Sequence, residues 1–179
     1  MLRRVVIFLG LTVMAYAGLP PGRPLPEVPI SGAGGRKLDL KTYRGKALIV
    51  ALVAISCKHC ATVLDVLKKL QVEQGPRGLR IVAAAGDEDA AATFAKYASQ
   101  HELNFPFGYV DHAALIKLAN VGPKDRPFVP ILMFVDGKGF VRVQMFGNDT
   151  LLEKPERILR DTVSELMKEP GITATTGKK

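Results

Sequence analysis

Tryptophan is absent from this 179-residue chain, cysteine occurs twice and histidine three times. A structural zinc site takes four ligands. With no second cysteine pair, and with His101 and His112 far along the chain from Cys57 and Cys60, the sequence offers no such set. Cationic residues are plentiful and the formal charge is +8, yet they are scattered in groups of no more than two, such as Arg3-Arg4 and Lys178-Lys179 at the ends. A nucleic-acid surface gathers its basic side chains on one element, usually with stacking aromatics; nucleic acid is therefore not an expected partner. Internal repeats and long low-complexity tracts are missing too. The apolar run near the N-terminus, Val5 to Met14, is too short to cross ~30 Å of hydrocarbon comfortably as a helix.

That run has a different use. Arg3-Arg4 precede it and Ala15-Tyr16-Ala17 follow it, giving the positive, apolar and small–x–small regions of a secretory signal peptide over residues 1–17. Cleavage after Ala17 places the mature protein in the periplasm or another extracytoplasmic space, where disulfides persist. An uncleaved segment would instead hold the chain at a membrane. Residues 18–36 carry many prolines and glycines and read as an extended leader. Residues 37–169 form one domain, since the length and the 47% apolar content suit a single buried core. The polar stretch 170–179 reads as a flexible tail.

Within the domain, the near-continuous apolar run from Ala47 to Ile55 fits a strand buried on both faces. Val63, Leu67 and Leu70 then recur at helical spacing, with Lys68 and Lys69 on the other side. Leu79 to Ala85 is a second apolar strand, parallel to the first through the helical crossover. Helices are expected over Asp89 to Gln100 and from near Asp111 to Asn120. Ile131 to Val135, the turn Asp136-Gly-Lys-Gly139 and the alternating Val141, Val143 and Met145 make a hairpin. A last helix starts near Pro155 and places Leu152, Leu159, Val163 and Leu166 on one face. The fold class is α/β, a central mixed sheet flanked by helices. Phe94, Tyr97, Phe105 and Phe107 read as packing residues.

Cys57-Lys-His-Cys60 falls where the buried strand gives way to its helix. Cys57 lies at the open first turn, where unpaired N–H groups and the helix dipole favour an anion, here a thiolate. Cys60 precedes Val63 and Leu64 on the apolar stripe and is expected to be shielded. Cys57 is thus the candidate nucleophile and Cys60 the resolving thiol, with Lys58 and His59 adding positive or hydrogen-bonding character. As a structural staple the pair is poor, because so short a loop is worth about 2 kcal/mol against roughly 4–5 for a loop of a hundred residues. Copper carriage by both thiolates and a histidine stays open as an alternative, as does a docking module with a vestigial disulfide.

Further motifs accompany the pair. Leu40-Lys-Thr-Tyr-Arg-Gly-Lys46 precedes the first long strand, Asn104-Phe-Pro-Phe107 is followed by Asp111, Val129-Pro130 precedes the hairpin, and Phe134-Val-Asp-Gly-Lys138 turns it. From about Leu38 to Lys168 this series resembles the TlpA/ResA-type thioredoxin-like proteins, the exported branch of the redoxin superfamily. The resemblance implies a thioredoxin-like fold with an extra helical insert, and disulfide exchange with client proteins bearing thiols or disulfides. It also implies an upstream redox partner, no cofactor or metal beyond the cysteine pair, and a cis Val129–Pro130 bond beside the cysteines. Ser56, Lys58, His59, Val129 and Pro130 are the residues expected to shape the site.

The chain departs from the pattern in several places. Ile55 and Ser56 stand where relatives carry an aromatic lead-in. Ala51 stands where thioredoxins have a buried carboxylate, and Val63 where ResA-type proteins have an acid. No carboxylate therefore serves the Cys60 thiol, leaving water or Lys46 to take its proton. His59 is similar to the histidine of the oxidising DsbA-type Cys-Pro-His-Cys site, and Val129 before Pro130 fits that likeness. Ala54 replaces the threonine that peroxiredoxins place three residues before their reactive cysteine, so a peroxidase is not expected.

Overall fold

The computed structural model describes Leu19 and residues 21–122, 124–125, 127–147 and 150–174. The expected signal segment and the end of the tail lie outside the described residues. In chain order the strands are β1 (Arg23–Pro24), β2 (Ile30–Ser31), β3 (Lys37–Leu38), β4 (Ala47–Val53), β5 (Leu79–Ala85), β6 (Phe107–Tyr109), β7 (Ile131–Val135) and β8 (Phe140–Met145). The helices are α1 (Lys58–Gln74), α2 (Ala90–Gln100), α3 (His112–Ala119) and α4 (Pro155–Leu166).

The strands join in one mixed sheet ordered β1-β8-β7-β4-β5-β6-β2-β3. β4 is central, parallel to β5 and antiparallel to β7, with Ala51 opposite both Ala83 and Leu132. Every β4 residue is buried, because the strand has a covered face on each side. Ala47, Ile49, Ala51 and Val53 join a core with α1, α2 and α4, while Leu48, Val50 and Leu52 face a second core containing α3. That alternation is the two-residue period of a strand. An unbroken apolar run is therefore what the position demands.

Local signals fix the helix ends. The Asp111 carboxylate caps α3 by accepting the N–H of Ala114 at 2.7 Å, and Asn120 ends it at φ 52° in the left-handed region. Pro155 opens α4, which buries Leu159, Val163 and Leu166. In the hairpin, buried Asp136 accepts the N–H groups of Lys138 and Phe140, both at 2.9 Å, and pairs with Arg142 at 3.1 Å. Gly139, at φ 83°, completes the turn.

Three features correct the sequence reading. The segment read as an unpacked leader supplies β1 and β2, which pair with β8 and β6, and it buries Val28 and Ile30. Its prolines suit edge strands and bends, and only isolated apolar residues such as Val28 and Ile30 report the packing. β6 went unrecognised; with three residues it is too short to show a period. The start of the expected tail is tied down, since Thr173 N–H donates to the Gly45 carbonyl at 2.8 Å and Lys46 Nζ to the Thr173 carbonyl at 2.8 Å. Among the described residues, no helix is long and apolar enough to cross a membrane.

Candidate active site

β4 ends at Val53, and the chain turns through Ala54, Ile55 and Ser56 into α1. The N–H of Cys57 closes that turn on the Ala54 carbonyl at 3.1 Å. Cys57 is the N-cap of α1, and its sulfur accepts the backbone N–H of Cys60 at 3.1 Å. A sulfur here takes the place usually filled by a serine or aspartate oxygen, and it satisfies one of the orphan donors of the first turn. The two cysteines are joined as a disulfide with their Cα atoms 5.2 Å apart. Cys57 is half-buried, whereas Cys60 has 0% exposure and packs with Val63, Leu64 and the strand residues beneath. Only one of the two sulfurs is thus open to attack from outside.

The facing wall is the segment before β7. The Val129–Pro130 bond is cis, and the Val129 carbonyl oxygen lies 3.9 Å from Cys57 Sγ. Pro130 is buried and Val129 half-buried, while Phe128 beside them is 65% exposed. Behind this wall, Gly147 N–H donates to the Phe128 carbonyl at 2.9 Å. A side chain at position 147 would meet the Val129 carbonyl carbon at 2.5 Å. Glycine is required there for close approach of two backbones.

A strand with both faces buried, a CxxC turn at its end and a half-open sulfur opposite a cis-proline make a thiol–disulfide site. The chain's residues 21–144 match the model of the AhpC/TSA family. The chain belongs to that family. Within it, the chain is ResA/TlpA-like, a thioredoxin-fold enzyme of the thiol–disulfide oxidoreductase class. It is 26% identical over 129 residues to the thiol-disulfide oxidoreductase ResA of Bacillus anthracis, covering 72% of this chain and 71% of that one. Against ResA of Bacillus thuringiensis subsp. konkukian (strain 97-27) it is 24% identical over 141 residues, covering 79% and 78%. Among solved structures it resembles a thioredoxin-family thiol:disulfide interchange protein from Chlorobium tepidum TLS, with TM-score 0.63, 18% identity and coverage of 79% and 96%. An uncharacterized thioredoxin-like protein from Porphyromonas gingivalis gives TM-score 0.65, 23% identity and coverage of 82% and 93%.

In this AhpC/TSA-family chain the structure brings Ser56, Cys57, Lys58, His59, Cys60, Val129 and Pro130 to one end of the sheet. Ser56, Lys58 and His59 are all exposed around Cys57. Lys46 is not among them. It lies at the opposite end of β4, bonded to Thr173 and Ala174, and is in no position to take a proton from Cys60. His101 packs at a tilt against Tyr97, with ring centres 4.2 Å apart and planes at 33°. Among the described residues, no group of three or more His, Cys, Asp or Glu is placed to hold a metal, and the copper reading gains no support. Two site residues escaped the sequence reading. Gly147 carries no local signal beyond being a glycine after a strand. Asp87, whose Oδ2 accepts the Ile55 N–H at 2.7 Å, was visible as an acid directly beyond an apolar strand.

Proposed function

We propose that this protein exchanges disulfides with client proteins outside the cytoplasm, with Cys57 as the attacking sulfur and Cys60 as the resolving one. The observation that carries the reading is the unequal pair: Cys57 caps α1 and is half-open, while Cys60 is fully buried three residues on. In the reduced protein, a Cys57 thiolate keeps the Cys60 N–H and the N-terminal end of the helix as its stabilising groups. It attacks one sulfur of a client disulfide, forming a mixed disulfide and releasing the other client sulfur as a thiolate. The Cys60 thiol gives up its proton and attacks Cys57 Sγ. The Cys57–Cys60 disulfide forms, and the client leaves as a dithiol with two electrons and two protons gained. Run backwards, the same steps oxidise a client, and an upstream redox partner resets the pair. No cofactor takes part.

The backbone of Val129 and of exposed Phe128, opposite Cys57, supports docking of an extended client strand. Export rests on Arg3-Arg4, the apolar run and Ala15-Tyr16-Ala17. The test is covalent trapping. Cys60→Ser in the producing cells should accumulate mixed disulfides with clients that dithiothreitol releases, and Cys57→Ser should accumulate none. Trapping on Cys57→Ser alone would reverse the two roles. Absence of insulin-disulfide reduction by the reduced wild-type protein, together with no trapping by either variant, would dismiss the enzyme reading.

A further inference from the structure

The turn that presents Cys57 is held from outside its own element. Ile55, two residues earlier, donates its N–H to Asp87 Oδ2 at 2.7 Å. The placement follows from the sheet: Val53 ends β4 opposite Ala85, the end of β5, and Gly86 N–H continues the ladder to the Val53 carbonyl at 3.0 Å. The two parallel strands thus emerge side by side, one feeding the cysteine loop and the other delivering a carboxylate. Among the described residues, Asp87 is the one charged side chain hydrogen-bonded to residues 54–60. Lys58 and His59 on the first turn of α1 are exposed, as is Glu88 beside Asp87. The interior positions 51 and 63 are alanine and valine, so neither offers the pair an acid.

We propose that Asp87 is a positioning residue for the redox loop, fixing the turn ahead of Cys57 and setting a negative charge behind it that favours the disulfide over the dithiol. The inference rests on the thiol–disulfide reading above. The hydrogen bond is of the charge-assisted kind, about twice as strong as a neutral one. The Cys57 N–H closes back on the Ala54 carbonyl at 3.1 Å, next to the Ile55 N–H, and this turn keeps the carboxylate within roughly 10 Å of the reactive sulfur. At that range it disfavours the Cys57 thiolate and opposes the helix N-terminus. The step concerned is the balanced exchange of enzyme dithiol and client disulfide for enzyme disulfide and client dithiol. By disfavouring the thiolate, Asp87 moves that exchange toward client reduction.

Three variants of the full chain separate charge from geometry. Asp87→Asn keeps an oxygen acceptor for the Ile55 N–H and loses the charge. It should lower the Cys57 pKa, read from the pH profile of iodoacetamide alkylation. It should also move equilibration with glutathione toward the dithiol by about three- to tenfold, the upper limit corresponding to ~30 mV. Asp87→Glu should return both values toward wild type. Asp87→Ala should show the Asn shift and, having lost the acceptor as well, slower insulin reduction; circular dichroism reports whether it folds, and Asp87→Asn decides the matter if it does not. An Asp87→Asn protein with unchanged alkylation profile and unchanged glutathione equilibrium overturns the proposal, as does a rise in Cys57 pKa. Wild-type protein that reduces no client while these shifts occur would instead sink the enzyme reading and leave Asp87 in its role.

Discussion

The N–H of Gly147 donates to the carbonyl of Phe128 at 2.9 Å, so the chain leaving β8 lies directly against the backbone that carries Val129 and Pro130. The wall facing Cys57 is therefore held by a backbone-to-backbone contact with no room for a side chain.

Gly147→Ala should accordingly displace that wall. The added carbon would meet backbone atoms, which cannot rotate aside, and overpacking of this kind costs about 1–3 kcal/mol. Thermal unfolding should show a lowered midpoint, and insulin reduction should slow because the docking backbone has moved away from Cys57. An alanine variant with wild-type midpoint and wild-type rate would refute the close approach.

Tyr97 makes the opposite prediction. Its ring is buried against His101 and Phe107, and its hydroxyl is buried with no hydrogen-bond partner among the described residues. A buried polar group left unpaired costs about 1–3 kcal/mol, so Tyr97→Phe should be neutral or stabilising in urea denaturation. Burial, and then the charges of Asp65 and Asp87, push the Tyr97 phenol above its ordinary pKa. Because the folded state disfavours the phenolate, this contribution to stability is complete below about pH 10, where the unfolded phenol ionises, and is lost as pH rises through the folded value. Tyr97→Phe should flatten that alkaline loss. A destabilised Tyr97→Phe protein would mean that the hydroxyl has a partner in solution.

How much of this was legible in the sequence depends on what each signal reports. β4, α1, β5, the hairpin and α4 were readable because burial on one or two faces writes a period into the residues. The unequal exposure of Cys57 and Cys60 was readable for a related reason: a CxxC turn after a two-faced strand has only one open end. The edge strands were not readable. β1 and β2 are two residues each, and pairing at an edge needs backbone, not side-chain pattern. Asp87 and Gly147 were missed because they act on the site across strands, 32 and 18 residues from the backbone groups they touch, Ile55 N–H and Val129.

The redox poise follows from opposing charges. The helix N-terminus, Lys58 and His59 are expected to stabilise the thiolate and hence the reduced pair, making it more oxidising, with Asp87 proposed to work against them. With three stabilising features against one, the potential should lie above that of thioredoxin, about −270 mV. Equilibration in a graded series of glutathione or dithiothreitol buffers checks this, and a value at or below thioredoxin's would mean that Lys58 and His59 do not govern the pair.

The unequal exposure and capping of the two cysteines is the centre of the account, and brief alkylation of the fully reduced protein tests it most directly. At pH 7, limiting iodoacetamide followed by peptide mass analysis should find the label on Cys57 and Cys60 essentially unmodified. The pH profile of that labelling should give a Cys57 pKa below the free-cysteine value of about 8.5. Equal labelling of the two sulfurs, or faster labelling of Cys60, would contradict the assignment of Cys57 as the nucleophile.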